Sequence, residues 1–305
     1  MVENVLIIGS GCAGLSAAIY TAREGFAPLV IAGSISGGQL MLTTTVENYP
    51  GFPEGVQGPE LIDLMRKQAE RFGAKMVYED VMDVDLSSRP FKVNTGPNTY
   101  EANSIIVATG ANAKLIGLES ELKYMGKGVS TCGTCDGPFF RNKDVIVVGG
   151  GDTAMEDSEF LTKFAKSVTI VHRKDSFRAS KVMQQKVLAN PKIKVIWNST
   201  VDEIIGDEKH VTGVKMKNTS TNQTSSMPID GVFVAIGHIP NTSFLKGKLK
   251  VDERGFLVTK DEVLTEIEGV FIAGDVSDPF YKQAATAASS GVKAALHARE
   301  YLLKK

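Results

Sequence analysis

The chain repeats one short pattern: an apolar run, then closely spaced glycines, then a segment with helical periodicity. The first copy has its apolar run at 5–8 and the second at 145–148. A continuous apolar run of this length is typical of a parallel strand that is buried on both faces. A second apolar run follows each helical segment, at 28–31 and at 168–171. The sequence therefore predicts an α/β fold with two Rossmann-like, three-layer nucleotide-binding domains.

Size and charge agree with two domains and argue against several classes of protein. The 305 residues correspond to about two domains of usual size. The 34 basic and 35 acidic side chains give a net charge of −1 without a long run of one sign, so no basic surface for nucleic acid is expected. No apolar window approaches the ~20 residues of a membrane span, and no targeting segment is visible. We expect a cytoplasmic protein with no membrane or nucleic-acid partner.

The two glycine turns have the spacing of dinucleotide-binding loops. Their key positions are Gly9, Gly11 and Gly14 in the first turn, and Gly149, Gly151 and Ala154 in the second. In such loops the first glycine turns the chain, the second lets a pyrophosphate approach the backbone, and the third position lets the helix pack on the strand. One match is weak evidence, because glycine turns also occur without a ligand. Two matches, each between a strand and a helix, predict two nucleotide sites.

In dinucleotide-binding units, residues at the end of the second strand contact the adenosine ribose. The two units of this chain carry different residues at that position. In the second unit the chain carries a cationic cluster: His172, Arg173, Lys174 and Arg178. Such a cluster in place of an acid favours a 2′-phosphate and predicts NADPH rather than NADH, and the alternative is a solvated basic turn. In the first unit the strand ends at Ala32 and Gly33, with neither an acid nor a base.

A further strand near the C-terminus offers a ligand for the first site. The apolar run at 270–273 ends in Gly274 and Asp275, and an alanine-rich helix is predicted from about Gln283 to Leu303. An acid at the end of a strand can bond a sugar alcohol. The start of a helix carries a partial positive charge, which would stabilise the negative charge of a reduced flavin.

Two of the three cysteines form a reactive pair. Cys132 and Cys135 are separated by two residues, a spacing that closes a small disulfide ring and lowers a thiol pKa near a helix start. Zinc is the alternative, but four-ligand sites need more cysteines or paired histidines than this chain offers. Asp136 is a candidate general acid for a departing thiolate, with helix capping as the other interpretation. Cys12, inside the first glycine turn, is expected to be a small buried residue.

Seven motifs together carry a resemblance to a known family. They begin at Gly9, Gly37, Glu47, Cys132, Gly149, His172 and Gly274. With these motifs in this order, the sequence resembles the low-molecular-weight thioredoxin reductases over essentially its whole length. The resemblance implies transfer of electrons from NADPH through FAD and the Cys132/Cys135 dithiol to the disulfide of thioredoxin, in a homodimer.

The resemblance also implies the residues of each site. It assigns to FAD Gly9, Ser10, Gly11, Cys12, Ala13, Gly14, Ala32, Gly33, Gly37, Gly38, Gln39, Leu40, Asn48, Gly110, Gly274, Asp275, Lys282, Gln283 and Ala284. It assigns to NADPH Gly151, Asp152, Thr153, Ala154, His172, Arg173, Lys174 and Arg178. Cys135 then faces the flavin, Cys132 exchanges with thioredoxin, and Asp136 is the acid. No metal is expected.

The motifs also predict how the chain is divided. Residues 1–114 and 244–305 are expected to form a discontinuous FAD-binding domain, and 115–243 an inserted NADPH-binding domain that carries the dithiol. Nicotinamide and dithiol must both reach the flavin from one domain, so we expect the domains to rotate between two arrangements.

The chain departs from the usual family pattern at three positions. Gly133 stands where alanine is usual, Lys174 where a second arginine is common, and Cys12 where proline is common. We expect Gly133 to affect the dithiol potential and Lys174 to weaken discrimination for NADPH. The segment 138–141 beside the dithiol offers aromatic and cationic anchors for a partner, unless its phenylalanines belong to the core. Alternative functions are reduction of another dithiol carrier, a small-molecule dithiol oxidase and a non-catalytic redox-sensing flavoprotein.

Overall fold

The structure is a computed structural model that describes residues 1–43 and 45–304. The chain divides into two compact units. Unit 1 consists of Met1–Asn112 with Ile239–Lys305, and unit 2 of Ala113–His238. The division of cofactors between the two units, FAD with 1–114 and 244–305 and NADPH with 115–243, stays a prediction. The chain passes between the units in two short segments, which form strands that pair with each other.

The N-terminal part of unit 1 and the first half of unit 2 contain both strands and helices. Residues 1–113 form β1 (Val2–Ile8), α1 (Cys12–Arg23), β2 (Leu29–Ile31), a 3-10 turn (Gly38–Leu42), β3 (Thr45–Val46), β4 (Val56–Gln57), α2 (Gly58–Arg71), β5 (Lys75–Val77), β6 (Asp83–Asp85), β7 (Phe91–Asn94), β8 (Thr99–Val107) and β9 (Ala111–Ala113). Residues 119–171 form α3 (Glu119–Lys123), β10 (Val129–Ser130), α4 (Gly133–Asp136), a 3-10 turn (Gly137–Phe140), β11 (Asp144–Val148), α5 (Asp152–Leu161) and β12 (Ser167–Val171).

The remaining elements complete unit 2 and return to unit 1. Residues 181–234 form α6 (Lys181–Ala189), β13 (Ile193–Ile196), β14 (Ser199–Gly206), β15 (Val211–Asn218), β16 (Thr224–Pro228) and β17 (Gly231–Val234). Residues 238–303 form β18 (His238–Pro240), a 3-10 turn (Ser243–Leu245), β19 (Val270–Ile272), a 3-10 turn (Gly274–Val276) and α7 (Ala284–Leu303).

Unit 1 is built on a sheet with the order β5-β2-β1-β8-β7-β6. The first four strands run parallel, as expected for buried apolar runs joined by helices. One edge of β8 pairs with the antiparallel β7 in its first half and with the parallel β19 in its second. The apolar run of β1 is buried on both faces, with Val5, Leu6 and Ile7 at 0% exposure. The Rossmann-like α/β fold predicted from the sequence is therefore confirmed.

Unit 2 repeats the parallel plan on a smaller scale. Its sheet has the order β10-β17-β11-β12-β13, and all four pairings are parallel. A second, antiparallel sheet of β14, β15 and β16 covers one side of it. In both units the glycine turn follows the central strand and precedes the first crossover helix, which places a ligand at the carboxyl ends of the strands.

Candidate active site and cofactor sites

The Cys132/Cys135 pair forms a disulfide at the start of α4. The two sulfurs are bonded, with 5.3 Å between the Cα atoms. Cys132 is the N-cap of the helix, and its Sγ accepts a hydrogen bond of 3.2 Å from the Cys135 backbone N–H. The backbone N–H of Cys132 donates to Ser130 Oγ at 3.0 Å. Both cysteines are partly exposed. The predicted pairing of Cys132 with Cys135 is present. Sulfur atoms joined in a disulfide do not bind zinc as thiolates do.

Asp136 directly follows the disulfide, in surroundings that suit an acid. Burial raises the pKa of its carboxyl group, and a hydrogen bond with Ser130 acts in the opposite direction. A raised pKa keeps part of the population protonated closer to neutral pH, as proton donation to a thiolate requires. The alternative interpretation as a helix cap lacks support, because within this fully described segment the Asp136 side chain makes no capping bond to the 3-10 turn that follows.

The first glycine turn has two crowded glycines and one open glycine. A Cβ atom on Gly9 would lie 2.2 Å from the backbone oxygen of Ala108, and a Cβ atom on Gly14 would lie 2.0 Å from that of Gly9. A Cβ atom on Gly11 would meet only the Gly37 oxygen, at 4.0 Å. The outer glycines thus hold α1 against the strands, and the middle one leaves its face open. An open face at this position is what a pyrophosphate needs.

The second turn repeats this arrangement with different contacts. A Cβ atom on Gly149 would lie 2.4 Å from the Ala235 oxygen and 2.7 Å from the Cβ of Ala154, whereas Gly151 has no neighbour within 4 Å. Ala154 therefore packs where the first turn has its third glycine. Thr153 and Asp152 stand in the first turn of α5, beside the open face.

Several residues assigned to the FAD site come together around the first turn. Ser10 Oγ donates to Ala32 O and accepts from Gly37 N, both at 2.9 Å. A Cβ atom on Gly38 would lie 3.6 Å from Gly11 Cα, and one on Gly274 would lie 2.8 Å from the Ala13 Cβ. One hydrogen-bonded chain thus connects the glycine turn, the end of β2 and the 3-10 turn that follows.

A second group meets at the start of α7. Asn48 Nδ2 donates to Gln283 Oε1 at 3.2 Å, and Gln283 forms a capping box with Thr286. Lys282 has its ammonium bonded to two backbone carbonyls, at 2.9 and 3.1 Å, and directly precedes Gln283. Ala284 is the first residue of the helix. The predicted helix and its positive end are therefore present.

Four assigned residues have structural neighbours of their own. Gln39 Nε2 donates to Asn112 at 3.0 Å, and Gly110 O accepts from Asn241 N at 3.0 Å. Leu40 packs against the apolar core of unit 1, and a Cβ atom on Gly33 would lie 3.4 Å from Asp80 Oδ1. These contacts place the four residues in loops of unit 1 but do not by themselves indicate a ligand.

Asp275 provides the clearest sign of a polar ligand in unit 1. Its Oδ1 is buried and has no hydrogen-bond partner among the residues that the structure describes. Burial, reinforced by repulsion from Asp278, raises the pKa of the Asp275 carboxyl to about 6, although Lys282 acts against it. Buried acceptors in proteins are nearly always bonded, so an orphaned one indicates a missing donor. A sugar hydroxyl at the end of β19 fits this requirement, and so does the ribityl chain of FAD.

The cationic cluster of unit 2 divides into exposed and buried members. Arg173, Lys174 and Arg178 are exposed and available to a phosphate. The backbone N–H of Arg178 donates to Gly150 O at 2.8 Å, so the loop is attached to the glycine turn. Asp152 Oδ1 accepts from Ser180 N at 2.8 Å and ties the end of the loop to α5.

His172 lies on the inner side of that loop. It is only 5% exposed, and a Cβ atom on Gly150 would lie 2.2 Å from its ring. Its Nε2 lies 3.0 Å from Ser176 O, and burial lowers the pKa of the ring. Unlike the three exposed cations, His172 is neutral, and its ring packs between Gly150 and the backbone of the loop at Ser176.

The aromatic segment after the dithiol is split between surface and core. Phe140 is buried and packs edge-on against Phe233 with ring centroids 5.0 Å apart. Phe139 is 41% exposed, and the guanidinium of Arg141 lies over the ring of Phe164 at 5.0 Å. The prediction that Phe140 is an anchor of a docking surface is therefore wrong, because its side chain packs in the core. A docking role for the exposed Phe139 stays a prediction.

Cys12 is the third cysteine and is buried in α1 at 7% exposure. Burial and the neighbouring Asp275 raise the pKa of its thiol to about 12. The expectation of a small buried residue is confirmed.

Sequence reasoning did not find two polar residues that shape these sites. Asn241 bonds the backbone of Thr109 and Gly110 at the point where the chain leaves unit 1. Asp157 of α5 lies against Gly133 beside the dithiol. Asparagine after Pro240 is a turn signal that could have pointed to the first. Nothing in the sequence connects Asp157 with Gly133.

Comparison with known proteins agrees with this arrangement. The family model for pyridine nucleotide-disulphide oxidoreductases matches residues 3–291. A thioredoxin reductase of Rickettsia conorii is 54% identical over 305 residues, covering 99% of this chain and 98% of the relative. One of Streptomyces coelicolor is 51% identical over 304 residues, covering 99% and 94%. The solved structure of the thioredoxin reductase from Giardia duodenalis superposes with a TM-score of 0.94 at 44% identity, covering 98% of each chain.

The resemblance noted in the sequence is thereby confirmed over the full length. The family uses FAD and NADPH, the two cofactors expected for the two glycine turns. No helix among the described residues combines the length and the apolar character needed to cross a bilayer. The matched family model, the two glycine turns and the disulfide between them in the sequence lead to one conclusion: the chain belongs to the pyridine nucleotide-disulphide oxidoreductases.

Proposed function

We propose that this oxidoreductase reduces the disulfide of thioredoxin with electrons from NADPH. The observation that carries the proposal is the disulfide Cys132–Cys135 at a partly exposed helix start, in the same unit as the second glycine turn. The names of the relatives from Rickettsia and Streptomyces support thioredoxin as the substrate. The direction is favourable, because NADPH is more reducing than thioredoxin at about −270 mV.

The residues of unit 1 are suited to hold FAD, which when bound supplies a two-electron carrier between NADPH and the disulfide. Asp275 offers its unpaired oxygen to a hydroxyl of the ribityl chain. The open face of Gly11 would hold the pyrophosphate at the start of α1. The partial positive charge at the start of α7 would stabilise negative charge on the flavin ring. In unit 2, Gly151 receives the pyrophosphate of NADPH, and Arg173, Lys174 and Arg178 receive its 2′-phosphate.

The dithiol then carries out the exchange. Two electrons and two protons convert the Cys132–Cys135 disulfide into two thiols. The Cys132 thiolate attacks the thioredoxin disulfide and forms a mixed disulfide, and Asp136 protonates the departing thioredoxin thiolate. Cys135 attacks Cys132 in turn, which restores the disulfide and releases reduced thioredoxin. Phe139, exposed beside the dithiol, gives thioredoxin an aromatic contact.

We further propose that the protein is a homodimer and acts in the cytoplasm. The resemblance to the low-molecular-weight thioredoxin reductases supports both. Sedimentation velocity of the purified holoenzyme measures the first, with a species of twice the chain mass as the expected result.

The proposal is tested by spectra and turnover. The purified protein is expected to show the visible absorbance of an oxidised flavin, to bleach with NADPH, and to recover its absorbance when oxidised thioredoxin is added. Cys132→Ser is expected to keep the bleaching and lose turnover. Ser226→Ala, an exposed substitution in β16 outside all the assigned sites, is the control for both steps. Bleaching without thioredoxin turnover, but with turnover of another dithiol carrier or of a small disulfide, would reject thioredoxin as the substrate. Bleaching without turnover of any disulfide would indicate a redox sensor.

A further inference from the structure

The helix that carries the dithiol packs against α5 through two glycines. Gly133 and Gly137 are four residues apart and face the same side. A Cβ atom on Gly137 would meet Leu161 and Phe160 at 3.2 and 3.3 Å, which is tight but apolar. A Cβ atom on Gly133 would meet the carboxylate of Asp157, with Oδ1 at 2.6 Å and Cγ at 2.7 Å. The dithiol helix therefore touches a carboxylate at its first residue.

The backbone does not explain why residue 133 is glycine. Gly133 is helical in α4 and is absent from the positions with positive φ, so any residue could adopt its conformation. What excludes a side chain is the space that Asp157 occupies. Even the Cβ of Asp157 would lie 2.9 Å from the added atom, and the residue is 9% exposed, so it has little room to move. The unusual glycine of the dithiol motif and the buried acid thus form a pair.

A carboxylate in this position affects the chemistry of the dithiol. Gly133 directly follows Cys132 and lies two residues before Cys135, so the acid is in contact with the backbone that joins the two sulfurs. A negative charge in a partly buried site disfavours a second negative charge nearby. The thiolate formed after reduction is such a charge, whereas the disulfide is neutral.

We infer that Asp157 is a positioning residue that makes the Cys132/Cys135 pair a stronger reductant, and that Gly133 is glycine in order to admit it. The inference rests on the proposed redox role of the pair. Reduction breaks the S–S bond with two electrons and two protons, supplied through the NADPH and FAD of the proposed reaction. By opposing loss of a proton from a new thiol, the carboxylate leaves the reduced state less stable and the disulfide more readily re-formed.

The electrostatic part is tested with Asp157→Asn, which preserves shape and removes charge. The holoenzyme is equilibrated with mixtures of oxidised and reduced glutathione, and the cysteines are then alkylated and counted by mass spectrometry. We expect the equilibrium constant for reduction of the disulfide to rise at least threefold, which for this couple is about 14 mV. Glu156→Gln, an exposed acid on the same helix, is the matched control and is expected to leave the constant unchanged. A constant for Asp157→Asn equal to that of the control, or a fall, overturns the inference.

The steric part is tested by a double-mutant cycle on thermal unfolding of the oxidised protein. Gly133→Ala is expected to lower the melting temperature by several degrees in the native background and by less than half as much in the Asp157→Ala background, where the carboxylate is gone. Equal losses in both backgrounds would show that Asp157 does not fill this space. Neither measurement uses thioredoxin. A wild-type protein inactive toward thioredoxin would therefore reject the proposed substrate, and these two results would still decide the role of Asp157.

Discussion

Burial gives two aspartates of this protein different chemistry from the exposed acids around them. The pKa of Asp275 is raised to about 6, and the pKa of Asp136 is raised as well, in both cases chiefly because water is excluded. The pKa of the Asp83 carboxyl is lowered by hydrogen bonds from Lys248 and Lys246, and that of Asp144 by hydrogen bonds from Ser167 and Lys166. An ionised carboxyl group that is removed from water and not fully compensated by a cation is unfavourable for stability, and such groups concentrate at functional sites. We propose that Asp275 accepts a hydrogen bond from the cofactor and that Asp136 holds a proton for the departing thiolate.

Asp275→Asn is expected to stabilise the FAD-free protein at neutral pH. A folded-state pKa above the ordinary value gives stability that is complete below about pH 3.8 and is lost as pH rises through about 6. The amide does not ionise, so its contribution to stability does not fall with pH. The free energy of unfolding of the variant is therefore expected to exceed that of the native apoprotein by up to about 3 kcal/mol at pH 7, and by progressively less toward pH 4.5. Urea unfolding of the apoprotein across this pH range measures the gain.

The exposed Asp261→Asn is the control for the loss of one charge, and its effect is expected to stay within about 0.5 kcal/mol. A gain for Asp275→Asn that did not change with pH would contradict burial as the cause. The holoenzyme is expected to show the opposite effect, because the amide binds a ribityl hydroxyl less strongly and FAD dissociates more readily.

Arg173→Ala is expected to reduce the preference for NADPH over NADH. Arg173 is exposed at the end of β12, where its guanidinium can meet a 2′-phosphate, which NADH lacks. We expect the ratio of kcat/KM for NADPH to that for NADH to fall about tenfold, the effect of losing about 1.4 kcal/mol. Lys186→Ala, which removes an exposed lysine of α6 paired with Glu159, is the control. An unchanged ratio in Arg173→Ala would reject the assignment of the 2′-phosphate.

At the scale of elements, each glycine turn combines packing with an opening for a ligand. In the first turn α1 lies so close to the strand end that Gly14 touches the backbone of Gly9, while Gly11 faces open space. The same helix meets α7 at another close approach, where a Cβ atom on Gly291 would lie 2.0 Å from the Ala13 oxygen. The helix is therefore fixed on two sides by backbone contacts, and its N-terminus is held toward the ligand.

Substitutions in this turn are expected to separate folding from cofactor binding. Gly11→Ala adds a methyl group to open space, so we expect a melting temperature of the apoprotein close to that of the native chain and at least a tenfold loss of FAD affinity. Gly14→Ala drives the same methyl group into the Gly9 backbone, and overpacking of this kind costs about 1–3 kcal/mol or more. Calorimetry of the apoproteins and titration with FAD give the two quantities. Equal melting temperatures for the two variants would argue against this division of roles.

The elements show what the sequence can and cannot predict. Continuous apolar runs and glycine spacing predicted the parallel strands, the turns and α7, because these signals are local. The burial of His172 was not predicted and that of Phe140 was left open, because each depends on a partner far along the chain, Gly150 for His172 and Phe233 for Phe140. The pair of Gly133 and Asp157 belongs to the same class of contact. A local motif predicts that a residue lies near a site, but contacts with residues distant in the sequence determine where its side chain points.

At the scale of the whole molecule, the two units share a parallel-sheet fold but carry different functional groups. Unit 2 holds the disulfide and the cationic loop, and unit 1 holds Asp275 and the open Gly11 turn. If FAD is held by unit 1, as proposed, both electron transfers to and from the flavin require groups of unit 2 to reach unit 1. The proposed rotation between two arrangements follows from this division.

A covalent cross-link between the units is expected to abolish turnover with thioredoxin. A pair of engineered cysteines, one in each unit, is joined by a short bismaleimide, and a cleavable linker of the same length serves as the control. We expect one half-reaction, either bleaching by NADPH or re-oxidation by thioredoxin, to slow at least tenfold and to recover after cleavage. Full turnover in the linked protein would show that rotation is unnecessary.

The burial of Cys12 has a practical consequence for following this protein in solution. A thiol with a pKa of about 12 stays protonated and unreactive while α1 is intact, so it takes no part in exchange with Cys132 or Cys135. In the reduced native protein two sulfhydryls per chain react quickly with an aromatic disulfide reagent, and the third reacts only when the nucleotide-binding turn opens. The reaction rate of this third sulfhydryl, Cys12, therefore reports local unfolding of the turn, and bound FAD is expected to lengthen the half-time of the reaction.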